Sequence, residues 1–170
     1  MILHLIRHPK PEIEPGICYG RLDIPAEDPT AVARGLLGEL PAGLPVWSSP
    51  LRRCRMLAVQ LSSQPSFDDR LLEMDFGGWE GRRWDDIPRA ELDAWAADVA
   101  GYAPPGGESP RQLQGRALDF VAGLAVPEAV IVTHAGVIRT LLAHWQGLPP
   151  EQWTQLVFAY GSRTTVEVPR

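Results

Sequence analysis

The run AVIVT at residues 129–133 constrains the fold more than any other feature of this chain. Short runs of β-branched residues are typical of strands buried on both faces, and such strands occur in parallel sheets that helices cover. His134, Ala135 and Gly136 then turn the chain into a helix predicted over residues 137–145. The run therefore predicts an α/β fold with helices on both faces of the sheet.

A second apolar run, residues 2–6, is closed by Arg7, His8 and Pro9. Pro9 and Pro11 have no backbone N–H for a strand ladder, so this run predicts a buried strand that ends at His8. Strands that alternate with helices favour a three-layer sandwich with a mostly parallel sheet covered by helices on both faces. Helices are predicted over 29–40, from 49 to about 61, over 89–99, from 109 to about 124 and over 151–157, with further strands over 46–48, 70–73 and 163–168.

Serine–proline pairs mark two of the predicted helix starts, Ser49-Pro50 and Ser109-Pro110. A serine oxygen accepts a free N–H of the first turn, and proline suits the first helical position. Helical spacing places a set of apolar side chains on the inner face of two helices. They are Val32, Leu36, Leu37 and Leu40 in the first helix, and Leu113, Ala117, Phe120 and Val121 in the helix after Ser109.

The length of 170 residues predicts a single domain over residues 1–170. The turn-rich segment FGGWEGRRWDDIP predicts a lid-like insertion near 76–107. Residues 9–28 are rich in proline and glycine without a sustained period, which indicates an ordered loop. Arg170 is predicted to be a tail.

The charge balance and composition exclude several classes of partner. A net charge of -5 and a pI near 5.3 argue against nucleic acid, whose binders carry a basic excess. The chain has no uninterrupted apolar stretch of about 18 residues, which argues against a membrane span. Cys18 and Cys54 allow at most one disulfide and match no metal spacing. We therefore predict a soluble cytoplasmic protein with a small-molecule partner, and the sequence does not predict its oligomeric state.

Two histidines follow predicted strands, His8 after the first and His134 after AVIVT. Ligands of open α/β sheets bind at the carboxyl ends of strands, so neighbouring strands would bring the two imidazoles together. Arg7 precedes the first histidine, and Arg52 and Arg53 fall in the first turns of the helix after residue 49. A helix N-terminus adds free N–H groups and a positive dipole end. This combination predicts a site for a phosphoryl group.

Cleavage of a phosphate ester needs a nucleophile, stabilisation of the phosphoryl oxygens and a proton for the leaving oxygen. Neutral His8 could attack phosphorus, because histidine is unprotonated at pH 7 and its phosphorus adduct stays labile to water. Arg7, Arg53 and His134 would hold the oxygens. Glu73, beside the turn-rich segment, is the best placed carboxylic acid.

Other phosphatase chemistries need spacings that this chain lacks. A cysteine nucleophile would need an arginine six residues later, where the sequence has Ile24 and Gln60. The chain has no Asp-x-Asp pair, no GxxxxGK[ST] loop and no histidine spacing typical of a metal site. Histidine is the remaining covalent candidate, and we expect neither a metal nor a cofactor.

Four segments, LIRHP, SSPLRR, LLEMDFGGWEG and THAGVIR, occur in the order and at the separations typical of one family. They resemble the histidine phosphatase superfamily, which has the phosphoglycerate mutase-like fold, and the resemblance spans nearly the whole chain. It implies that His8 is phosphorylated and that Arg7 clamps the phosphate. It also implies that Arg53 binds phosphate, Glu73 donates the proton and His134 is the second histidine of the site.

Within that superfamily, ICYGRLDIP, FGGWEG followed by a tryptophan, and PPGGES resemble the small bacterial α-ribazole phosphatases of cobalamin assembly. The chain also lacks the extra length of typical phosphoglycerate mutases. The resemblance implies hydrolysis of α-ribazole 5′-phosphate, with Tyr19 and Gly20 among the substrate-binding residues.

The chain departs from the family pattern in the first two segments. Pro9 stands where glycine is usual, and Pro11 and Leu57 stand where threonine is common. Pro9 is expected to stiffen the loop without removing a catalytic group. Arg52 and Arg55 leave the assignment of the second phosphate-binding arginine open by a position.

Two other functions fit the same residues. A mutase or phosphotransferase would pass the phosphoryl group to a second hydroxyl instead of water, and a non-catalytic module would keep only the anion pocket. Four aromatic residues either frame a pocket for an aromatic leaving group or pack in a core or lid. They are Tyr19, Trp79, Trp84 and Trp95, while Glu80 and Glu108 are predicted to be surface charges.

Overall fold

The computed structural model describes residues 1–169 and contains a five-stranded sheet, and the predicted tail at Arg170 lies outside the described residues. The strands are β1 (Ile2–Arg7), β2 (Val46–Ser48), β3 (Ser66–Phe67), β4 (Glu128–Thr133) and β5 (Arg163–Glu167). They lie in the order β3, β2, β4, β1, β5, and only β5 is antiparallel to its neighbour within residues 1–169. The predicted mostly parallel sheet is confirmed.

The carboxyl ends of β1, β2 and β4 meet at one edge of the sheet, because these three strands are parallel neighbours. Backbone hydrogen bonds continue past the strands: the N–H of His8 donates to the Thr133 carbonyl at 3.0 Å, and that of Ser49 donates to the Val132 carbonyl at 3.0 Å. His134 follows β4 directly. Three polar side chains from distant parts of the sequence therefore start from the same edge.

Helices cover both faces of the sheet. The helices α1 and α2 pack on one face, and α4 and α5 pack on the other. Among residues 1–169, no helix is both long enough and apolar enough to cross a membrane. The helices are α1 (Thr30–Glu39), α2 (Arg52–Leu61), α3 (Arg89–Ala97), α4 (Pro110–Ala122), α5 (Ala135–Trp145) and α6 (Pro150–Trp153).

Strand β4 shows why this arrangement needs two layers of helices. Ala129 and Ile131 point into the core with α4 and α5, whereas Val130 and Val132 point into the core with α1 and α2. All four side chains are at most 1% exposed. Burying a valine or isoleucine side chain stabilises the fold by about 1.5–3 kcal/mol. The side chains of the run AVIVT therefore pack against helices on both faces of the sheet.

The helix start at Ser109 is confirmed. The Ser109 hydroxyl accepts the Gln112 N–H at 3.2 Å, and the Gln112 side chain accepts the Ser109 N–H at 2.8 Å. Pro110 takes the first helical position, where its missing N–H costs nothing. The predicted inner face of α4 is buried as expected, at Leu113, Ala117, Phe120 and Val121.

The helix start predicted at Ser49 is wrong, because α2 begins at Arg52 after an extended Leu51. The predicted strand over 70–73 is also wrong. A 3₁₀ turn occupies Asp69–Leu71, since the Asp68 carboxylate accepts the Arg70 N–H at 2.9 Å and caps that turn.

Two smaller differences from the prediction concern the length of α6 and the buried face of α1. The helix predicted over 151–157 is the four-residue α6, which ends at Trp153. In α1 the buried face is formed by Ala33 and Leu36, whereas Leu37 is 53% exposed although it was predicted to point inward.

Residues 76–107 contain α3 and two 3₁₀ turns, Gly77–Trp79 and Trp84–Asp86, which surround a cluster of aromatic rings. Trp79 is fully buried in that cluster, and the rings of Trp84 and Trp95 stack with centroids 5.9 Å apart. Trp79 is therefore a core residue of this segment. The lid-like role of the segment stays a prediction.

Candidate active site

The two predicted imidazoles lie face to edge at the carboxyl edge of the sheet. The ring centroids of His8 and His134 are 5.2 Å apart, with 60° between the ring planes. The two residues are 2% and 0% exposed, respectively. Residues separated by most of the chain thus form one buried polar pair, as the sequence predicts.

The backbone sets the tautomer of His8. Its Nδ1 lies 2.6 Å from the Pro9 carbonyl oxygen. That oxygen can only accept, so Nδ1 carries the hydrogen and Nε2 keeps a free lone pair in the neutral ring. Proline keeps its carbonyl, so this hydrogen bond survives at a position where glycine is usual in the family.

Both histidines are held neutral. Burial, with smaller contributions from the charges of Arg53 and Arg7, lowers the pKa of His8 to about 3, although the hydrogen bond to the Pro9 carbonyl opposes this shift. Burial also lowers the pKa of His134 well below its usual range, again with help from Arg53. A neutral His8 is the form that can act as a nucleophile at pH 7.

His134 contacts two side chains from the start of the α2 region. Its Nε2 lies 2.8 Å from the Ser49 hydroxyl and 3.4 Å from the Cys54 sulfur. Burial raises the pKa of the Cys54 thiol, so the sulfur is uncharged at neutral pH. Ser49 therefore orients His134, a role that the sequence prediction of a helix cap missed.

Two arginines bring positive charge to the histidine pair. Arg53 is fully buried and donates to the carbonyls of Leu22 at 2.7 Å and Gly20 at 2.5 Å. Arg7 donates to the Phe158 carbonyl at 2.5 Å. The Nε atoms of both arginines are buried and have no hydrogen-bond partner within residues 1–169. An unpaired buried N–H on a cation is costly unless an anion binds there.

The structure separates the three neighbouring arginines of α2. Arg52 and Arg55 are exposed, and Arg53 alone of the three is buried beside the histidines. Of the three arginines, Arg53 is thus the one placed near both histidines, and its role in binding phosphate stays a prediction.

Glu73 lies beside the start of α5. Its carboxylate accepts the N–H of Met74 at 2.9 Å and that of Gly136, two residues after His134, at 3.2 Å. A Cβ on Gly136 would lie 2.2 Å from a Glu73 oxygen, so only glycine leaves room for the carboxylate.

The backbone at Glu73 is fixed by a half-buried network. Its carbonyl accepts from Arg21 at 2.8 Å and from Arg116 at 2.9 Å, and both arginines pair with Glu108. Arg116 and the other donors hold the pKa of Glu108 below its usual value despite burial. Glu108 was predicted to be a surface charge, and this is wrong because it is the common acceptor of the network.

Two tyrosines flank the arginines. The Arg7 guanidinium lies 3.8 Å above the Tyr160 ring, and that of Arg53 lies 5.3 Å above the Tyr19 ring. The hydroxyls of Tyr19 and Tyr160 are 3.3 Å apart, and the Tyr160 ring is 5.7 Å from that of His8. Tyr19 was predicted at the site. Tyr160 was missed, because it follows a segment without strand or helix periodicity.

A cavity of about 150 Å³ adjoins Glu73 on the side of α3 and α5. Its walls include the aromatic rings of Phe76, Trp95 and Trp153 and the side chain of Arg139. A cavity of this volume holds one aromatic ring, as engineered apolar cavities that bind benzene show. No cluster of three or more metal-ligating side chains occurs among the described residues.

Known proteins share both the sequence pattern and the fold of this chain. The family model of the histidine phosphatase superfamily (branch 1) matches residues 3–170. A crystal structure of phosphoglycerate mutase from Thermus thermophilus superposes with a TM-score of 0.82 at 34% identity, covering 100% of this chain and 95% of that chain. The phosphoglycerate mutase-like fold is thereby confirmed.

Two curated proteins are also similar. A provisionally named phosphoserine phosphatase 2 of Hydrogenobacter thermophilus is 29% identical over 160 residues, which is 86% of this chain and 79% of that protein. The adenosylcobalamin/α-ribazole phosphatase of Escherichia coli is 31% identical over 104 residues, which is 57% of this chain and 48% of that protein. These relatives carry names of enzymes, which argues against a non-catalytic binding module. With the family match over nearly its full length, the chain belongs to the histidine phosphatase superfamily and is a phosphatase.

Proposed function

We propose that this chain hydrolyses small phosphate monoesters through a phosphohistidine at His8. One observation carries the proposal: within residues 1–169 the buried Nε–H groups of Arg7 and Arg53 lack hydrogen-bond partners, and the charges of both arginines lower the pKa of His8, whose Nδ1 is held by the Pro9 carbonyl. A phosphoryl group supplies anionic oxygens for those donors and an electrophile for the Nε2 of His8. No other part of the described chain offers a nucleophile with such donors.

In the first step the Nε2 lone pair of His8 attacks phosphorus, and the bond from phosphorus to the ester oxygen breaks. Protonated Glu73 gives its proton to the leaving oxygen, so an alcohol departs. In the second step water attacks the phosphohistidine, the Glu73 carboxylate takes a proton from it, and the nitrogen–phosphorus bond breaks. Arg7, Arg53 and His134 hold the phosphoryl oxygens throughout.

The test is a trapping experiment with ³²P-labelled substrate and a denaturing alkaline quench. Wild-type protein is expected to retain acid-labile, base-stable label, while His8→Ala retains none and loses activity by at least about a thousandfold. His144→Ala, an exposed histidine near the far end of α5, is the matched control and keeps full turnover. Full turnover by folded His8→Ala would refute the proposal.

For the leaving group we propose a compound with an aromatic ring, of which α-ribazole 5′-phosphate is the specific candidate. The cavity beside Glu73 supports this, because its aromatic walls and volume suit a flat ring next to the proton donor. The E. coli relative, named for α-ribazole, matches only part of this chain. A screen of phosphomonoesters decides: the assignment is withdrawn if the α-ribazole ester has no higher kcat/KM than sugar phosphates or phosphoglycerates.

A phosphotransferase activity is the second candidate, because the Thermus neighbour is named a phosphoglycerate mutase. Both reactions share the phosphohistidine and differ in whether water or a second hydroxyl accepts the phosphoryl group. Product analysis with a phosphoglycerate substrate separates them. Inorganic phosphate indicates hydrolysis, and a positional isomer of the substrate indicates transfer.

A further inference from the structure

We infer that Glu80 is a positioning residue for Arg53, acting through the backbone of residues 20–22. The inference concerns the phosphate site of the proposed function. Glu80 was predicted to be a surface charge, but it is half-buried and its carboxylate accepts four backbone N–H groups. They are Gly20 at 3.0 Å, Arg21 at 2.9 Å, Leu22 at 3.2 Å and Phe76 at 3.1 Å.

The same stretch of backbone holds Arg53 with its carbonyls. The peptide unit that joins Gly20 to Arg21 donates its N–H to Glu80 and accepts from Arg53 Nη2 at 2.5 Å. Leu22 also donates its N–H to Glu80 and accepts from Arg53 Nη1 at 2.7 Å, although this N–H and this carbonyl belong to two consecutive peptide units. Each peptide group in such a chain polarises the next, which strengthens the hydrogen bonds. The carboxylate charge thus reaches Arg53 through one peptide unit.

This indirect arrangement solves a conflict at the site. A fully buried guanidinium needs negative charge nearby, but a carboxylate bound directly to it would occupy the donors that a phosphoryl group needs. No ion pair to Arg53 occurs within residues 1–169, and its Nε–H stays unpaired. Glu80 compensates the charge of Arg53 across the peptide unit between residues 20 and 21. The Nε–H of Arg53 therefore remains available to a phosphoryl group.

The contact of the 20–22 backbone with both Glu80 and Arg53 requires glycine at position 20. A Cβ at Gly20 would lie 1.9 Å from the Met74 carbonyl oxygen and 2.9 Å from a Glu80 oxygen. Any side chain would therefore push the 20–22 backbone away from the carboxylate. This close approach accounts for a glycine at position 20 without a direct contact to substrate.

The test uses binding of orthovanadate, a phosphate analogue, and requires no turnover. Glu80→Gln removes the charge and leaves one accepting oxygen where there were two. We expect its Kd for orthovanadate to rise about tenfold to a hundredfold, the range of a hydrogen-bonded charge. Calorimetry or tryptophan fluorescence measures the Kd, and circular dichroism verifies folding.

A double-mutant cycle distinguishes action through Arg53 from a separate effect. In an Arg53→Met background, Glu80→Gln is expected to leave the remaining orthovanadate affinity unchanged. An equal loss in both backgrounds would overturn the inference. If Glu80→Gln does not fold, Glu80→Asp, which keeps the charge but shortens the side chain, carries the same comparison with a smaller rise in Kd.

The matched control is Glu91→Gln, because Glu91 accepts from the ring N–H of Trp79, the residue before Glu80. It loosens the same segment without touching the 20–22 backbone, so orthovanadate affinity should stay at the wild-type value. An equal loss in Glu91→Gln would assign the effect to segment stability and overturn the inference. If the wild-type protein binds orthovanadate but hydrolyses no phosphate ester, the proposed hydrolysis is wrong and the inference about Glu80 still stands.

Discussion

At the scale of single residues, the chemistry of the site depends on main-chain atoms as much as on side chains. The Pro9 carbonyl fixes which nitrogen of His8 is free, and the Gly136 N–H holds the Glu73 carboxylate. Leu57, where the family commonly has threonine, belongs to α2 and is fully buried in the core, where a hydroxyl would need a partner. Departures from the family pattern at positions 9 and 57 therefore leave the reacting groups intact.

Gly136→Ala is expected to lower kcat by at least about tenfold, the cost of roughly 1.4 kcal/mol of transition-state stabilisation. The new Cβ would lie 2.2 Å from a Glu73 oxygen and force the proton donor out of place. Alanine in a helix otherwise stabilises by up to about 1 kcal/mol, so lost activity would not reflect unfolding. Steady-state kinetics and thermal unfolding measure the two effects.

Gly115→Ala is the control for that substitution. Gly115 lies in α4, and a Cβ there would meet nothing within 4 Å. The variant should gain about 0.5–1 kcal/mol of stability with unchanged kcat. Unchanged kcat in Gly136→Ala as well would contradict the role given to the Glu73–Gly136 contact.

At the scale of elements, two identical Ser-Pro pairs have different structural roles. Ser109 caps α4, whereas Ser49 contacts His134 and the helix starts later. Local sequence predicts a cap at both positions, because capping depends on the serine and the residues next to it. The choice at Ser49 depends on a histidine 85 residues away, which no local pattern contains.

Ser109→Ala should therefore lower mainly the stability of the protein, and Ser49→Ala should lower mainly its activity. Ser109→Ala is expected to lose about 0.5–2 kcal/mol of unfolding free energy with little change in kcat, because it removes a helix cap. Ser49→Ala is expected to lose activity, because His134 loses its hydroxyl partner, while stability changes less. Urea unfolding and steady-state kinetics on both variants check this, and a loss of activity confined to Ser109→Ala would contradict it.

At the scale of the whole molecule, the sheet edge assembles the site from segments far apart in sequence. The positions of His8 and His134 could be predicted, because strand ends are readable from short apolar runs and parallel neighbours share an edge. Glu80 could not, since three of its four partners are backbone N–H groups some 60 residues away, whose positions depend on loop conformation. Tyr160 could not either, because no periodic pattern marks its segment. Sequence thus predicts groups placed by regular elements better than those placed by loops.

The buried histidine pair also couples the stability of the whole chain to pH. In the folded chain burial lowers the pKa of His8 to about 3 and that of His134 below its usual range, whereas unfolded histidine titrates near about 6.5. The unfolded state therefore binds more protons below that pH. The stability due to the neutral histidines is complete above about pH 6.5 and is lost as the pH falls from there toward about 3.

Unfolding in urea between about pH 7 and pH 5 tests this coupling, because the carboxylates with lowered pKa, such as Glu108, stay ionised over that range. The free energy of unfolding should fall with pH, and His8→Asn should reduce the slope by up to about 1.4 kcal/mol per pH unit. His134→Asn should reduce it similarly. Equal slopes in wild type and both variants would mean that the histidines take up protons in the folded chain as readily as in the unfolded chain. Because a protonated His8 has no lone pair on Nε2, His8 would then lose its nucleophilic form as the pH falls through about 6.5.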